Sequence, residues 1–309
     1  MSDKIEHECG IALLRLKKPL QYYIDTYGTA FYGLNKMYLL MEKQRNRGQD
    51  GVGLANVKLN VPPGHRYLSR SRSVEKQPIE DLFAQVMGRF ADTREHHPER
   101  LKDAEWLQKE FAFTGEVFLG HLRYGTYGRN TIERVHPFLR QNNWRSRTLA
   151  LAGNFNLTNV DELFDILVDL GQHPKEKADT VTVLEKVGHF LDEEVEKAFR
   201  QFKNAGYENA EISGLIADQL DVSNVLRRAS VNWDGGYVMG GIIGSGDAFI
   251  ARDPNGIRPC FWYEDEEVIV AASERPVIQT AFNAVTTDVK ELQPGEALII
   301  NRNGESQIA

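Results

Sequence analysis

Short apolar runs punctuated by glycine and proline dominate this chain, and their order leaves few folds open. Strand-like runs stand at Cys9–Leu16, Gly51–Val57, Val117–Tyr124, Thr148–Ala152, Tyr237–Ile243, Ala248–Arg252, Glu267–Ala272 and Ala297–Asn301. They are rich in branched aliphatic and aromatic residues and bounded by turn formers. Helical spacing is plain in Phe31, Leu34, Met37, Tyr38 and Met41, which recur every three or four residues and form one apolar face. Asn159 with Glu162 reads as a helix start, Leu163, Phe164, Leu167 and Val168 as its face, and Gly171 as its end. Leu184, Val187, Leu191 and Val195 mark another helix, and Ile212, Leu215 and Ile216 begin a further one. Strands and helices are partly segregated rather than strictly alternating. That order argues against a doubly wound sheet and for stacked layers of an α+β fold. Residues 58–116 read as an insertion between two core strands, carrying a basic patch (Arg66, Arg70, Arg72) and a charged, helix-like piece over Glu99–Phe111.

Bulk properties narrow the function classes. A length of 309 residues allows one large domain or two ordinary ones. The formal net charge of -7 argues against nucleic acid or an anionic membrane surface as partner. The start is charged and lacks the apolar core of a signal peptide, and no apolar stretch is long enough to span a bilayer. Two cysteines make no disulfide framework, so a reducing cytoplasm is expected. CxxC and HExxH spacings are missing, and His96-His97 sits in a charged, loop-like segment, so no metal site is expected.

One of those two cysteines, Cys9, opens the first apolar run. A lone cysteine taken at random is more often a buried structural thiol. Near an N-terminus, however, a cysteine can carry its own general base: a free α-amine has a reference pKa of about 8, suited to taking a thiol proton near neutrality. Four glycine-, arginine- and asparagine-rich motifs follow it. The first is Arg47-Gly48-Gln49-Asp50-Gly51-Val52-Gly53, after the first helix. In the second, Gly120-His121-Leu122-Arg123-Tyr124-Gly125-Thr126, an arginine leaves a buried strand where the chain turns. Its planar fork suits a carboxylate. The third, Leu151-Ala152-Gly153-Asn154-Phe155-Asn156-Leu157-Thr158-Asn159, reads as a strand end entering a helix, where an amide and backbone N–H groups suit an oxyanion. The fourth is the rigid turn Arg252-Asp253-Pro254-Asn255-Gly256-Ile257-Arg258-Pro259. Each alone is more often structural than catalytic; together, behind a near-terminal cysteine, they are specific.

In that order the motifs resemble the glutaminase domain of the amidophosphoribosyltransferases, class II glutamine amidotransferases with the four-layer αββα sandwich of N-terminal nucleophile hydrolases. The match runs from Cys9 to the Pro294-Gly295-Glu296 turn, and the fourth motif with Ala272-Ser273-Glu274 separates this family from related amidotransferases. The resemblance implies that Cys9 is the nucleophile, exposed when residues 1–8 are removed as a leader, with residues 9–309 forming the amidotransferase domain. It assigns Arg123 to the glutamine α-carboxylate, with Thr126 in the same substrate-binding motif, and Asp179 to the α-ammonium. Arg47 and Gly48 match the turn packed against the nucleophile, and Asn154 with the Phe155 N–H matches the oxyanion hole. Three positions depart from the pattern. Val181 replaces a glutamate, and Gly153-Asn154-Phe155-Asn156 replaces His-Asn-Gly-Asn. A phenylalanine in a position demanding positive φ costs about 1–2 kcal/mol, and Gly153 in place of histidine makes room for its ring.

What the resemblance implies about partners follows the family: L-glutamine as substrate, a phosphoribosyltransferase domain or subunit, and a homo-oligomer. No phosphoribosyl pyrophosphate loop occurs in the chain, so magnesium and phosphoribosyl pyrophosphate would belong to that second domain, and Cys260 alone cannot supply an iron–sulfur cluster. The alternative is a catalytically inactive domain of the same fold with a binding or assembly role.

Overall fold

The computed structural model describes residues 8–125 and 131–309. The chain divides into two compact units: residues 1–137 with 260–291, and residues 138–259 with 292–309. Each is built on one antiparallel sheet. No helix among the described residues is long and apolar enough to cross a membrane.

The first unit's sheet runs, in spatial order, Lys290–Glu291, Phe261–Glu264, Val268–Ala272, Gly10–Leu16, Val117–Arg123, Gly51–Val57 and Leu68–Ser73. Gly10–Leu16 lies at its centre, and all seven residues are buried. Alternation sorts its side chains. Ala12, Leu14 and Leu16 join Phe118, Leu122, Val270 and helix Tyr32–Lys43 in one apolar cluster. Cys9, Ile11, Leu13 and Arg15 have the opposite parity. Each fully buried leucine of this kind contributes roughly 1.5–3 kcal/mol. Residues 58–116 are woven into this unit: Leu68–Ser73 pairs with Gly51–Val57, and Ile79, Leu82, Phe83 and Val86 of helix Pro78–Gly88 enter its core. The basic patch is partly tied down, since Arg70 donates to the Pro137 carbonyl and Arg72 to that of Val135. The charged piece near Glu99–Phe111 is a short 3-10 turn, Pro98–Lys102, followed by helix Ala104–Glu110.

The second unit's sheet runs Ser306–Ile308, Ala297–Ile300, Ala248–Arg252, Gly235–Ile243, Leu149–Leu157 and Phe138–Arg140. Its main cover is helix Asp179–Asn204, whose Val183, Leu184, Val187, Leu191 and Val195 pack with Leu149, Leu151 and Leu157. Arg140 ties strand to helix with a two-toothed contact to Asp192 (3.2 and 2.6 Å) and a 3.3 Å bond to Glu185. Two sequence expectations change here. The strand expected to end at Ala152 continues to Leu157, so Asn154 and Phe155 lie inside it. Asn159 does stand before helix Val160–Asp169, but its side chain does not cap it. Its amide donates to the Asn232 carbonyl (2.7 Å) and its oxygen accepts from the Asp234 N–H (3.3 Å), closing the neighbouring turn instead.

Candidate active site

In the first unit, Cys9 stands one residue ahead of the central strand. The register Gly10↔Leu122 brings it opposite Arg123. Its thiol faces the Tyr124 carbonyl at 3.9 Å and accepts from the Tyr124 N–H at 3.4 Å. Burial pushes the thiol above its ordinary pKa, while that N–H, Arg123 and Arg47 pull it down without overcoming the burial. Linked to Glu8 by a peptide bond, this cysteine has no amine of its own, and its thiol stays protonated at neutral pH.

The strand entrance is fixed from three sides. Ser273 accepts from the Ile11 N–H (3.0 Å) and donates its own N–H to the Ile11 carbonyl (3.2 Å), which also takes the Gln44 amide (3.1 Å). Arg47 donates to the Cys9 carbonyl (3.3 Å) and pairs with Glu8 (2.9 Å) and Glu274 (3.4 Å). Gly48 then allows the turn to press on the strand end. A Cβ there would lie 2.6 Å from the Arg123 carbonyl carbon and 2.7 Å from its oxygen. Its φ of -156° suits any residue, so space alone demands glycine. Asp50 completes the clasp, donating its N–H to the Arg123 carbonyl (3.0 Å) and accepting from the Gly125 N–H (2.7 Å). Arg123 is 8% exposed, at the end of its strand. Cys9, Arg47, Gly48 and Arg123 thus lie together in one cluster; Thr126 lies outside the described residues. The positioning roles of Gln44, Asp50 and Ser273 were not read from sequence, although Asp50 and Ser273 stand in quoted motifs.

In the second unit, Asn154 and Phe155 sit on strand Leu149–Leu157, opposite Val238 and Tyr237. Asn154 is 7% exposed. Phe155 has the parity of Leu151 and Leu157, and its ring packs with the helix-side cluster, on the opposite face from Asn154. A Cβ at Gly153 would lie 2.6 and 2.7 Å from that ring, so glycine here makes the room expected of it. The position does not demand a positive φ: Phe155 is in regular strand pairing and is not among the positive-φ residues, so that cost does not arise. Its N–H points away from Tyr237, because the Tyr237 N–H and carbonyl both turn to Asp253, at 3.3 and 2.8 Å. Asp253 also accepts from the Asn255, Ile257 and Arg258 N–H groups at 2.9–3.0 Å, which makes the fourth motif a closed turn beside this strand. Asp179, half-buried, begins the long helix, with Val181 buried two residues further on. Among the described residues, no group of three or more His, Cys, Asp or Glu is arranged to hold a metal ion.

Two antiparallel sheets with helices make this an α+β fold, with Cys9 at the mouth of a central strand. No protein-family model matches the chain. Its relatives are amidophosphoribosyltransferases, and it resembles their glutaminase part. That of Methanothermobacter thermautotrophicus is 24% identical over 276 residues, covering 89% of this chain and 45% of the relative. That of Bacillus subtilis is 30% identical over 197 residues, covering 62% and 33%. Among solved structures, the glutamine phosphoribosylpyrophosphate amidotransferase of B. subtilis complexed with ADP and GMP matches with a TM-score of 0.55 and 22% identity, over 97% of this chain and 49% of that one. A second, of the allosteric regulatory enzyme of purine biosynthesis, gives 0.57 and 21% identity, over 97% and 48%. These likenesses show the fold, in the α+β class anticipated from sequence. The chain spans a third to a half of these relatives' length.

Proposed function

We propose that this chain hydrolyses the side-chain amide of glutamine through Cys9, once residues 1–8 have been removed, and supplies the ammonia for phosphoribosylamine formation in purine synthesis. The observation that carries the reading is the placement of the Cys9 thiol, held by the Tyr124 backbone between Arg47 and Arg123 at the mouth of the central strand. Removal of Glu8 converts an amide nitrogen, which is no base, into an amine with a reference pKa of about 8. That amine takes the thiol proton, and the sulfur attacks the glutamine amide carbon. The tetrahedral intermediate collapses by breaking the C–N bond. Ammonia leaves with the proton held by the amine, and water cleaves the thioester to glutamate and free thiol. Asn154 and the Phe155 N–H are the donors for the oxyanion, Arg123 binds the α-carboxylate and Asp179 the α-ammonium, with Thr126 in the same substrate loop. The ammonia goes to a phosphoribosyl acceptor on a phosphoribosyltransferase domain or subunit.

The seat of the Phe155 ring, on the opposite strand face from Asn154, favours this reading over a catalytically inactive domain. The test joins intact mass with a glutaminase assay. Activity is expected only in chains starting at Cys9; full activity in chains retaining Glu8 would overturn the proposal.

A further inference from the structure

On the first unit, a cavity of about 670 Å³ lies between the first two helices, the turn before strand Val268–Ala272 and helix Arg275–Phe282. None of the candidate active-site residues lines it. Its size falls in the range of small-ligand sites. Its walls are aromatic: Tyr27 and Tyr32 stack at 4.5 Å between ring centroids, and Phe282 closes another side. Its rim carries three consecutive carboxylates, Asp265, Glu266 and Glu267.

The carboxylates are not equivalent. Glu267 accepts the Tyr22 hydroxyl at 2.7 Å and that of Tyr27, which fixes the rings. Asp265 accepts the Glu267 and Val268 N–H groups, both at 2.8 Å, and the Tyr263 hydroxyl at 3.0 Å. Glu266 is exposed and has no partner among the described residues. The protein itself shows what these walls accept. The Lys36 ammonium lies 4.8 Å from the Phe282 centroid and 5.5 Å from that of Tyr32, and donates to the Ala281 carbonyl. One alkylammonium group is thus already lodged on the aromatic wall, and the lining holds three carboxylates to this one ammonium, so the site retains surplus negative charge.

From the stacked rings, the carboxylate rim and the lodged Lys36 ammonium, we infer that this cavity binds a small alkylammonium cation. The ring faces attract the cationic head through their quadrupoles, and Glu266 with Asp265 supplies the opposite charge. A neutral ligand of the same shape gains only the apolar contact, and an anion is repelled.

Calorimetric titration of the whole chain with choline, and separately with its uncharged isostere 3,3-dimethyl-1-butanol, tests the inference. Choline is expected to bind saturably, and the isostere roughly fivefold more weakly or worse. Tyr27→Leu and Glu266→Gln alter exposed side chains and leave the core intact, which circular dichroism verifies. Each should weaken choline roughly two- to fivefold. Equal affinity for the two probes would reduce the cavity to an apolar groove and overturn the inference. So would the lack of a saturable choline signal, or unchanged affinity in both variants.

Discussion

Gly153 and Phe155 are tied by a clash that has not happened, and adding one methyl group measures it. A Cβ at residue 153 would lie 2.6 Å from Cζ and 2.7 Å from Cε2 of Phe155, and 2.9 Å from the Val238 carbonyl oxygen. Carbon atoms rest at about 3.5–4.0 Å, so the ring must retreat by roughly 1 Å. Overpacking of this kind in Gly153→Ala costs about 1–3 kcal/mol. Phe155→Ala alone removes a ring that is only partly buried, so its cost is about 2 kcal/mol, below the 3–5 kcal/mol of a fully enclosed phenylalanine. In the double variant the two ring contacts are gone, and the Val238 oxygen remains close to the new methyl. The two single costs should therefore exceed the double by about 1–2 kcal/mol, a coupling expected only of touching residues. Urea denaturation of the four chains, read as midpoint shifts at constant slope, gives the cycle. Single costs that add to within about 0.3–0.5 kcal/mol would show that the ring does not lie over Gly153.

Arg123→Lys should raise the KM for glutamine sharply, because an ammonium cannot reproduce the guanidinium fork; unchanged kinetics in a folded variant would reject that assignment. Asn154→Ala should lower kcat by about 10²–10³, whereas Phe155→Gly keeps turnover, since only its backbone N–H is asked to serve; comparable losses in both would contradict this. Asp247 is pushed up to about 6 by burial, against hydrogen bonds that favour its charge, including one from Ser245 at 2.7 Å. A carboxyl with a raised native pKa binds its proton more tightly when folded. Its contribution to stability is therefore present at acid pH and lost as pH rises from roughly 4 through 6, at up to about 1.4 kcal/mol per unit. Asp247→Asn should flatten that limb, which denaturation at several pH values would reveal; an unchanged limb would mean that Asp247 does not cause it.

Much of the first unit's cluster was legible because its signals are local. The Gly51–Val57 strand is an apolar run bounded by turn formers, and the structure reproduces its bounds. Where local signals conflicted with pairing, the reading failed. Gly153-Asn154-Phe155-Asn156 has turn composition, yet these residues pair one by one with Met239, Val238, Tyr237 and Gly236, and partner strands override propensity. Leu68–Ser73, with the sequence LSRSRS, lacks an apolar face because it is an edge strand whose arginines reach neighbouring carbonyls. The clasp of Asp50 on Gly125 joins residues 75 positions apart, and the contact of Cys9 with Tyr124 spans 115. Such separations leave no periodic trace in a sequence.

The most direct measurement is covalent labelling of Cys9 by a glutamine-like diazoketone, mapped by peptide mass spectrometry on chains that begin at Cys9 and on chains that keep Glu8. In the longer form, burial keeps the thiol protonated and its neighbour is an amide, so Cys9 should stay unlabelled at neutral pH. With the leader removed, a single adduct is expected on Cys9, protected by excess glutamine and lost in Arg123→Lys at the same reagent concentration. An unlabelled Cys9 in the leader-free chain, or equal labelling in both forms, would contradict the account.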